Sequence, residues 1–478
     1  MLLKDLLSGI SYKGNADIEI NNIVSDSRKV TEGCAFVCIK GYETDGHLYA
    51  KKAEENGASV IIAQEKVDVH CPLVLVEDSR NVMALLCTGF HGHPSKKFKL
   101  VGITGTNGKT TTTYLVKTIL ETAGHKLGLI GTNQNMIGNR AVNSSHTTPD
   151  SFELQALFAE MAKEGVDTVV MEVSSHALYL DRVAYCDFDV GAFTNLTQDH
   201  LDFHKTMEAY ADAKALLFKM CKKGVVNIDD SYVDRILSGA SAEIMTTGIK
   251  KSADLSAADI VLNEAGVEFT AGDRRYSVAI PGEFSVYNAL TAIGICKCLG
   301  IPDEIIEKGL KSAKGVQGRA QVVKLKHPAT FIIDYAHTPD GIKNILDAVK
   351  SFAKKRIIIL FGCGGDRDNK KRPLMGKTAE ENADFCIVTS DNPRTENPAE
   401  IINQILEGMK KGTHIVIENR REAIKYAVET AKSGDVVVLA GKGHETYQII
   451  GKEKFPFDEE EILFEIEKEL GGQWNCSQ

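Results

Sequence analysis

Thr104-Gly105-Thr106-Asn107-Gly108-Lys109-Thr110-Thr111 follows the apolar run 100–103 and precedes an apolar pattern at helical spacing over 115–120. This order predicts a strand, a glycine-rich turn and a helix N-terminus. Backbone N–H groups in such a turn surround phosphate oxygens, and Lys109 is placed to reach the β- and γ-phosphates. A strict phosphate-loop motif has glycine at position 103, where this chain has isoleucine. The stretch therefore predicts a nucleotide-phosphate site, with an ordinary turn and a surface lysine as the alternative.

Composition limits the class of protein. The chain has 478 residues, which at roughly 150 per domain predicts about three domains. Its net charge of −9 disfavours nucleic-acid binding. Eleven scattered cysteines without C-x-x-C pairs disfavour zinc and predict reduced thiols. The sequence has no apolar run long enough to span a membrane and no cleavable signal pattern, so we expect a cytoplasmic protein that does not insert into membranes.

The order of strand and helix patterns predicts an α/β protein of three domains. Residues 1–97 form a small α/β unit that ends in the breaker-rich stretch 91–97, which predicts an exposed linker. Residues 98–317 alternate strand and helix after the phosphate turn, as in a P-loop-type domain with a mainly parallel sheet. Residues 318–478 contain four apolar strands that each end in a polar or glycine-rich loop, which predicts a Rossmann-like domain.

Two polar side chains follow apolar strands of the central domain. Glu172 comes directly after one apolar run, and His200 comes a few residues after the next. Parallel strands present their carboxyl ends at one edge of a sheet, which is also the edge that carries the phosphate turn. We therefore expect Glu172 and His200 to lie near Lys109 as metal or substrate groups, while the Thr110 hydroxyl is placed to hold magnesium.

Lys214 lies in a helical pattern among small and apolar neighbours. Such neighbours desolvate an amine and lower its pKa. A neutral amine can add carbon dioxide, and the resulting carbamate is an anionic oxygen ligand for magnesium. The alternative is a lysine whose stem packs in the core while its ammonium reaches water.

The four loops of the last domain gather at one predicted sheet edge. Among their residues, Arg394 and Glu445 suit a zwitterion, because a guanidinium pairs with a carboxylate and a carboxylate accepts from an ammonium. A structural ion pair is the alternative for each. No G-x-G-x-x-G opens this domain, so a dinucleotide is not predicted.

Together these motifs resemble those of the Mur ligases, and the resemblance covers all three sections of the chain. The segments that carry it are 104–110, 147–150, 172–176, 334–339 and 364–367. The family also lacks the strict glycine spacing of the phosphate loop. One departure is Gln321, where the family pattern leads us to expect glutamate after Gly318-Arg319 and one further residue.

The resemblance implies a role for each matching residue. It implies that ATP is bound by Gly105, Thr106, Asn107, Gly108, Lys109, Thr110, Thr111, Asn288, Arg319, Asp334 and His337. It implies catalytic roles for Lys109, Glu172, His200 and Lys214, and Mg²⁺ ligation by Thr110, Glu172, His200 and a carbamate on Lys214. The uridine-linked dipeptide would be held by Ser27, Thr147, Thr148, Ser174 and Arg182, and the amino acid by Arg367, Asp391, Asn392, Pro393, Arg394, Gly441 and Glu445.

The activity that this resemblance implies is ATP-dependent amide ligation. Meso-2,6-diaminopimelate would be added to the D-glutamyl γ-carboxylate of UDP-N-acetylmuramoyl-L-Ala-D-Glu through an acyl phosphate, giving ADP and phosphate for peptidoglycan precursor synthesis. The signature 391–394 resembles that of diaminopimelate-adding enzymes, because Arg394 would pair with a distal carboxylate that lysine lacks. Three alternatives stay open: the same ligase adding L-lysine, a ligase like folylpolyglutamate synthase, and a nucleotide-gated scaffold. We expect small-molecule partners and a monomer.

Overall fold

The computed structural model describes residues 1–41, 44–142, 146–263 and 265–470. These residues form three main sheets, each flanked by helices, and one isolated hairpin. The predicted three-domain α/β architecture is confirmed.

The first sheet belongs to the N-terminal section, with strand order β1-β5-β4-β3-β2. Its strands are β1 (Tyr12–Lys13), β2 (Asn22–Val24), β3 (Cys34–Val37), β4 (Val60–Ala63) and β5 (Leu73–Val76), and its helices are α1 (Leu3–Leu6), α2 (Ala50–Glu55) and α3 (Ser79–Phe90). The segment 91–97 was predicted to be an exposed linker; Gly92, His93, Lys96 and Lys97 are exposed as predicted, whereas Pro94 and Ser95 are buried. Pro94–Lys97 is a 3-10 turn that packs on the strand Lys99–Thr104 and the helix Ser151–Lys163 of the central domain.

The central sheet has eleven strands in the order β16-β15-β14-β13-β12-β11-β6-β10-β7-β8-β9. Its strands are β6 (Lys99–Thr104), β7 (Leu127–Ile130), β8 (Asn135–Ile137), β9 (Arg140–Val142), β10 (Thr168–Glu172), β11 (Phe188–Phe193), β12 (Cys221–Asn227), β13 (Glu243–Gly248), β14 (Leu255–Asn263), β15 (Gly266–Ala271) and β16 (Arg274–Val278). The strands from β7 to β14 in this order pair in parallel, and antiparallel hairpins extend both edges. The mainly parallel sheet is thus confirmed.

Helices of the central domain fix the phosphate turn against this sheet. They are α4 (Lys109–Thr122), α5 (Ser151–Lys163), α6 (Ser175–Tyr179), α7 (Leu201–His204), α8 (Met207–Met220), α9 (Val233–Leu237), α10 (Glu283–Cys298) and α11 (Asp303–Ser312). A Cβ on Gly309 would lie 2.6 Å from the Ile119 Cα, so α11 approaches α4 closely only because of that glycine. Helix α10 is buried on most of its sides, which suits its alanine-rich sequence.

The C-terminal sheet has the order β17-β18-β22-β19-β20-β21, and the strands from β18 onward are parallel. Its strands are β17 (Gln321–Val323), β18 (Thr330–Asp334), β19 (Ile357–Phe361), β20 (Phe385–Val388), β21 (His414–Val416) and β22 (Val436–Ala440), followed by the separate hairpin β23 (Tyr447–Ile450) and β24 (Glu453–Pro456). The helices are α12 (Pro339–Lys350), α13 (Lys371–Asn382), α14 (Pro398–Leu406), α15 (Arg420–Thr430) and α16 (Glu459–Glu469).

One apolar cluster crosses the junction between the central and C-terminal domains. It includes Val101 and Leu290 from the central side and Ile342 and Val438 from the other. A Cβ on Gly282 would lie 2.5 Å from the Ala348 Cβ, so the two domains are in close contact there. Among the helices that the structure describes, none is both long and apolar enough to cross a membrane.

Candidate active site

Three neighbouring cavities lie where the central and C-terminal domains meet. The largest, of about 540 Å³, is bounded by Asn107 and Asn288 from the central domain and by His337 from the C-terminal domain. A smaller one of about 170 Å³ surrounds Lys109, and a third of about 430 Å³ extends to Arg394. The small cavity shares wall residues with each of the larger ones, so it lies between them.

Two glycines give the phosphate turn its shape. Gly105 has φ +153°, and a Cβ there would lie 1.9 Å from the Thr194 Oγ1. Gly108 has φ +85°, and a Cβ there would lie 2.3 Å from the Asn288 Oδ1. Helix α4 begins at the next residue, Lys109, so its free N–H groups face the small cavity. The turn can therefore hold phosphate oxygens although it lacks the strict motif.

Lys109 and Lys214 meet at one backbone oxygen. Lys109 Nζ donates to the Gly105 oxygen at 2.8 Å and to the Thr106 oxygen at 2.9 Å, and Lys214 Nζ donates to the same Gly105 oxygen at 3.0 Å. Burial lowers the pKa of Lys109 and, with the Lys109 charge beside it, lowers that of Lys214 well below its usual range. Lys214 is 1% exposed, so the alternative in which its ammonium reaches water is wrong.

Glu172 and Thr110 bring oxygen ligands to the small cavity. Both Glu172 oxygens accept from Thr132, one from the backbone N–H and one from the hydroxyl, each at 2.9 Å. Thr110 and His200 line the same cavity, and His200 has a left-handed backbone with φ +55°. A carboxylate, a hydroxyl and an imidazole suit a divalent cation, and the oxygens suit magnesium in particular. This donor set therefore fits the implied Mg²⁺.

Asp199 is a site residue that the sequence interpretation missed. It is 7% exposed and lies 3.4 Å from the His200 Nε2, 3.8 Å from the His337 Nε2 and 3.8 Å from the Lys371 Nζ. Burial opposes its ionisation, but His200, His337 and Lys371 outweigh that effect and lower its pKa. Its position at the end of the segment after β11 was visible in the sequence; its three partners were not.

Thr147, Thr148, Ser174 and Arg182 form one wall that joins the small cavity to the third. Thr148 Oγ1 donates to the Glu172 backbone carbonyl oxygen at 3.0 Å and accepts from the Ser174 N–H at 3.0 Å. Arg182 Nη1 donates to the Thr148 backbone carbonyl oxygen at 3.1 Å. Thr147 lines both cavities, so a ligand could pass along this wall.

The large cavity collects the predicted nucleotide residues of both domains. Arg319 Nη2 donates to the Thr110 Oγ1 at 3.1 Å, and its guanidinium lies 4.6 Å from the centroid of the Tyr335 ring. The Asp334 carboxylate accepts from the Ala320 and Ala336 N–H groups, both at 2.7 Å. Burial raises the pKa of Asp334 despite those bonds. The cavity is thus lined by groups that can contact a nucleoside.

The third cavity is lined by the residues predicted to bind the amino acid, except Pro393. They lie on the loops 362–368, 391–394 and 441–445, which together form the C-terminal rim. Arg394 has φ +52°, and its Nη1 donates to the Gly365 oxygen at 2.8 Å. Glu445 Oε2 accepts from the Asn392 Nδ2 at 2.7 Å. Within the described residues, Arg394 and Glu445 do not pair with each other, and both side chains line the cavity, where each can contact a ligand. A Cβ on Gly441 would lie 2.5 Å from the Asp391 Oδ2, which explains the glycine.

Three buried cations that the sequence interpretation did not select lie behind this rim: Arg372, Arg420 and Lys442. Arg372 pairs with both oxygens of Glu396, and Arg420 Nε donates to the Glu459 Oε1 at 2.8 Å. A charged residue inside a polar motif gives no sign in the sequence that it is buried. Only the packing of the loops shows it.

The remaining predicted residues lie outside the walls of the three cavities. They are Ser27, Gly105, Lys214 and Pro393. Ser27 begins a 3-10 turn in the N-terminal domain, and its backbone carbonyl oxygen accepts from the Asn56 Nδ2 at 2.8 Å. The Gln321 side chain bonds within the C-terminal domain: its Oε1 accepts from the Gly318 N–H and its Nε2 donates to the Glu460 Oε2.

The arrangement as a whole can bind a triphosphate between a nucleoside-sized cavity and an amino-acid-sized one. Positive charge from Lys109 and an oxygen-rich metal site both lie in the small cavity between them. Such a layout suits transfer of a terminal phosphoryl group to an acceptor in the neighbouring cavity.

Comparisons with known proteins agree with this layout. Family models match successive parts of the chain: the Mur ligase family, catalytic domain at 19–86, the Mur ligase middle domain at 103–296, and the Mur ligase, glutamate ligase domain at 318–443.

A relative from Caldanaerobacter subterraneus is 51% identical over 477 residues, covering 98% of this chain and 99% of its own. One from Clostridium botulinum is 50% identical over 463 residues, covering 95% and 96%. Both are named UDP-N-acetylmuramoyl-L-alanyl-D-glutamate--2,6-diaminopimelate ligase. A solved structure of a protein with that name matches with a TM-score of 0.71 at 32% identity, covering 98% of this chain and 99% of its own.

Proposed function

This chain belongs to the Mur ligase family, and we propose that it joins meso-2,6-diaminopimelate to the D-glutamyl γ-carboxylate of UDP-N-acetylmuramoyl-L-Ala-D-Glu. It is an ATP-dependent ligase of peptidoglycan precursor synthesis. The observation that carries the proposal is the sequence of three adjoining cavities, with Lys109 in the middle one and Arg394 and Glu445 in the third. The named relatives support diaminopimelate as the added amino acid.

The chemistry requires activation of an unreactive carboxylate. The D-glutamyl γ-carboxylate attacks the γ-phosphorus of ATP, the bond to the β-phosphate oxygen breaks, and ADP leaves. The acyl phosphate then accepts an amine nitrogen at its carbonyl carbon, an amide bond forms, and phosphate leaves. Lys109 supplies positive charge where two anions must approach each other. Exclusion of water by the closed domains protects the acyl phosphate from hydrolysis.

Magnesium fits the small cavity, where Thr110, Glu172, His200 and a carbamate on Lys214 would hold it. When bound there, the ion would screen the negative charge of the transferring phosphoryl group. Burial lowers the pKa of Lys214 well below its usual range and so favours the neutral amine. This supports carbamylation, since only the neutral amine adds carbon dioxide.

The substrate assignments follow the walls. Thr147, Thr148, Ser174 and Arg182 would hold the muramoyl dipeptide, because they join the small cavity to the third. Ser27 would contact the uridine part from the N-terminal domain. We propose a monomer as the active form.

An ADP-release assay with each amino acid in turn tests this function. The chain is expected to release ADP with UDP-N-acetylmuramoyl-L-Ala-D-Glu, ATP, Mg²⁺ and meso-diaminopimelate, and far less with L-lysine, because lysine offers Arg394 no distal carboxylate. Preference for L-lysine would instead support a lysine-adding ligase. Glutamate addition to a folate would support a ligase like folylpolyglutamate synthase. No ADP release with any acceptor would leave the nucleotide-gated scaffold.

A further inference from the structure

Lys442 is a wholly buried lysine two residues after the end of strand β22. Its neighbours Asn392 and Glu445 line the third cavity, which we call the amino-acid cavity. Its Nζ donates to the Asn392 Oδ1 at 3.0 Å and lies 3.2 Å from the Glu445 Oε2. The rings of Tyr447 and Phe457 have their centroids 6.0 and 5.8 Å from the same nitrogen. The ammonium is therefore enclosed by one carboxylate, one amide and two aromatic rings.

The hydrogen bonds around Glu445 leave one of its oxygens available. Asn392 Nδ2 donates to Glu445 Oε2 at 2.7 Å, and Lys442 approaches the same oxygen. Across the described residues no hydrogen bond reaches the other oxygen, Oε1, and Glu445 lines the third cavity. Asn392 is itself held, because its Oδ1 also accepts from the Ile449 N–H at 2.9 Å. The network thus fixes the carboxylate and directs one free acceptor towards the ligand.

We propose that Lys442 is a positioning residue of the amino-acid site: it fixes Glu445 through Oε2, so that Oε1 accepts from an ammonium group of the amino-acid substrate. This inference rests on the proposed function. A purely structural role would be served better by an apolar side chain of similar length, since a buried lysine carries a large desolvation cost. The cost is offset here by two groups that both line the amino-acid cavity.

The same contacts predict which kinetic constant depends on Lys442. Without its counter-charge, Glu445 can turn away from the cavity, which weakens its hold on an ammonium group. Among the described residues, none of Asn392, Lys442 and Glu445 lines the large cavity, which contains the predicted nucleotide residues. The effect is therefore expected on the amino-acid KM and not on the KM for ATP.

The test measures KM for all three substrates in K442M, E445Q and the double variant. K442M is expected to raise the KM for meso-diaminopimelate at least about tenfold and to change the other two KM values less than about twofold. In the E445Q background, K442M is expected to add less than about twofold, since Lys442 acts through Glu445. K442Q, which keeps a donor to Oε2, replaces K442M if that variant does not fold, and a smaller rise in the same KM is expected.

R356M is the control at the opposite end of the C-terminal sheet, where Arg356, the residue before β19, donates from Nη2 to the Oδ2 of Asp435, the residue before β22, at 2.6 Å. It removes a paired cation from the far edge of the same sheet and is expected to lower thermal stability without a selective effect on meso-diaminopimelate. An unchanged KM for meso-diaminopimelate in a folded Lys442 variant, equal rises in all three KM values, or a full effect in the E445Q background would each overturn the inference. Failure of the wild-type chain to ligate would instead overturn the proposed function.

Discussion

Lys109 and Lys214 show how single residues set the chemistry of the small cavity. Two amines share the Gly105 oxygen, and burial lowers the pKa of both. Two full positive charges so close in a dry site repel each other strongly. Conversion of Lys214 to a carbamate would replace that repulsion by attraction, because it puts a negative group beside Lys109.

The first prediction concerns the carbamate. Lys214→Ala is expected to lose nearly all ADP release while keeping its thermal unfolding midpoint within a few degrees, and ¹³C-bicarbonate should give a carbamate NMR signal in the wild type but not in this variant. Lys219→Ala, which changes an exposed lysine of the same helix, is the control and should retain both activity and signal. Full activity in Lys214→Ala would remove the carbamate role.

The second prediction concerns selection of the amino acid. Arg394→Ala is expected to raise the KM for meso-diaminopimelate by a factor that corresponds to about 2 kcal/mol or more of binding free energy, because a charge-assisted pair with the distal carboxylate is lost. Steady-state kinetics with saturating ATP measures this. Arg421→Ala removes a surface arginine that pairs with Glu465 and Glu469, and it should leave the KM unchanged. If Arg394→Ala selects amino acids as the wild type does, the diaminopimelate assignment is wrong.

At the scale of elements, the C-terminal rim is stabilised by pieces that do not line the cavity. The β23–β24 hairpin bonds to the strained Arg394 backbone, from Arg394 N to the Ile449 oxygen at 3.1 Å and from Gly451 N to the Arg394 oxygen at 2.8 Å. Helix α16 reaches the rim through Glu459 and Arg420, whose Nη2 donates to the Ala440 oxygen at 2.8 Å. The loops of the rim therefore depend on both the hairpin and the last helix.

The third prediction tests the connection from α16. Glu459→Leu leaves the buried Arg420 with the more distant Asp391 as its counter-ion, 3.9 Å from the Arg420 Nη1, and is expected to lower the free energy of unfolding of the C-terminal domain by about 3 kcal/mol. Hydrogen exchange across 420–470 with a denaturant titration measures the loss. Glu465→Gln changes another residue of α16, whose exposed carboxylate pairs with Arg421, and should lower the free energy of unfolding by no more than about 1 kcal/mol. Equal costs in the two variants would contradict the buried-pair argument.

At the scale of the whole molecule, the site exists only where two domains meet. Asn107 Nδ2 donates to the Asp340 Oδ2 at 2.9 Å across the junction, and Asp199 lies near Lys371. His337 and His444 lie at the same junction. Burial, with Lys371 beside the first and Arg319 beside the second, lowers the pKa of each to about 4.

The fourth prediction follows from those two histidines. A histidine whose folded pKa is lowered from 6.5 to about 4 stabilises the folded state above pH 6.5, and that contribution is lost as the pH falls from 6.5 towards 4. The thermal midpoint of the wild type is expected to fall across this window, and less steeply in His337→Gln/His444→Gln. His200 and His204 titrate in the same direction and remain in both proteins, so the difference between the curves is the readout. Parallel curves would show that the junction histidines do not contribute.

The sequence by itself determined the α/β class, the phosphate turn and the polar loops, because periodicity and glycine placement are local properties. It also determined which residues match the Mur ligase motifs. The helix start at Lys109 and the strand ends at Glu172 and Asp334 agree with those patterns.

Only the tertiary structure decided which of these residues meet. Burial of Lys214 against the Gly105 oxygen, the three partners of Asp199 and the enclosure of Lys442 all depend on contacts between segments distant in the chain. A single sequence gives the identity of a charged side chain but not its distance from water or from another charge. Those distances fix its pKa and its role, and they are set by how the domains pack.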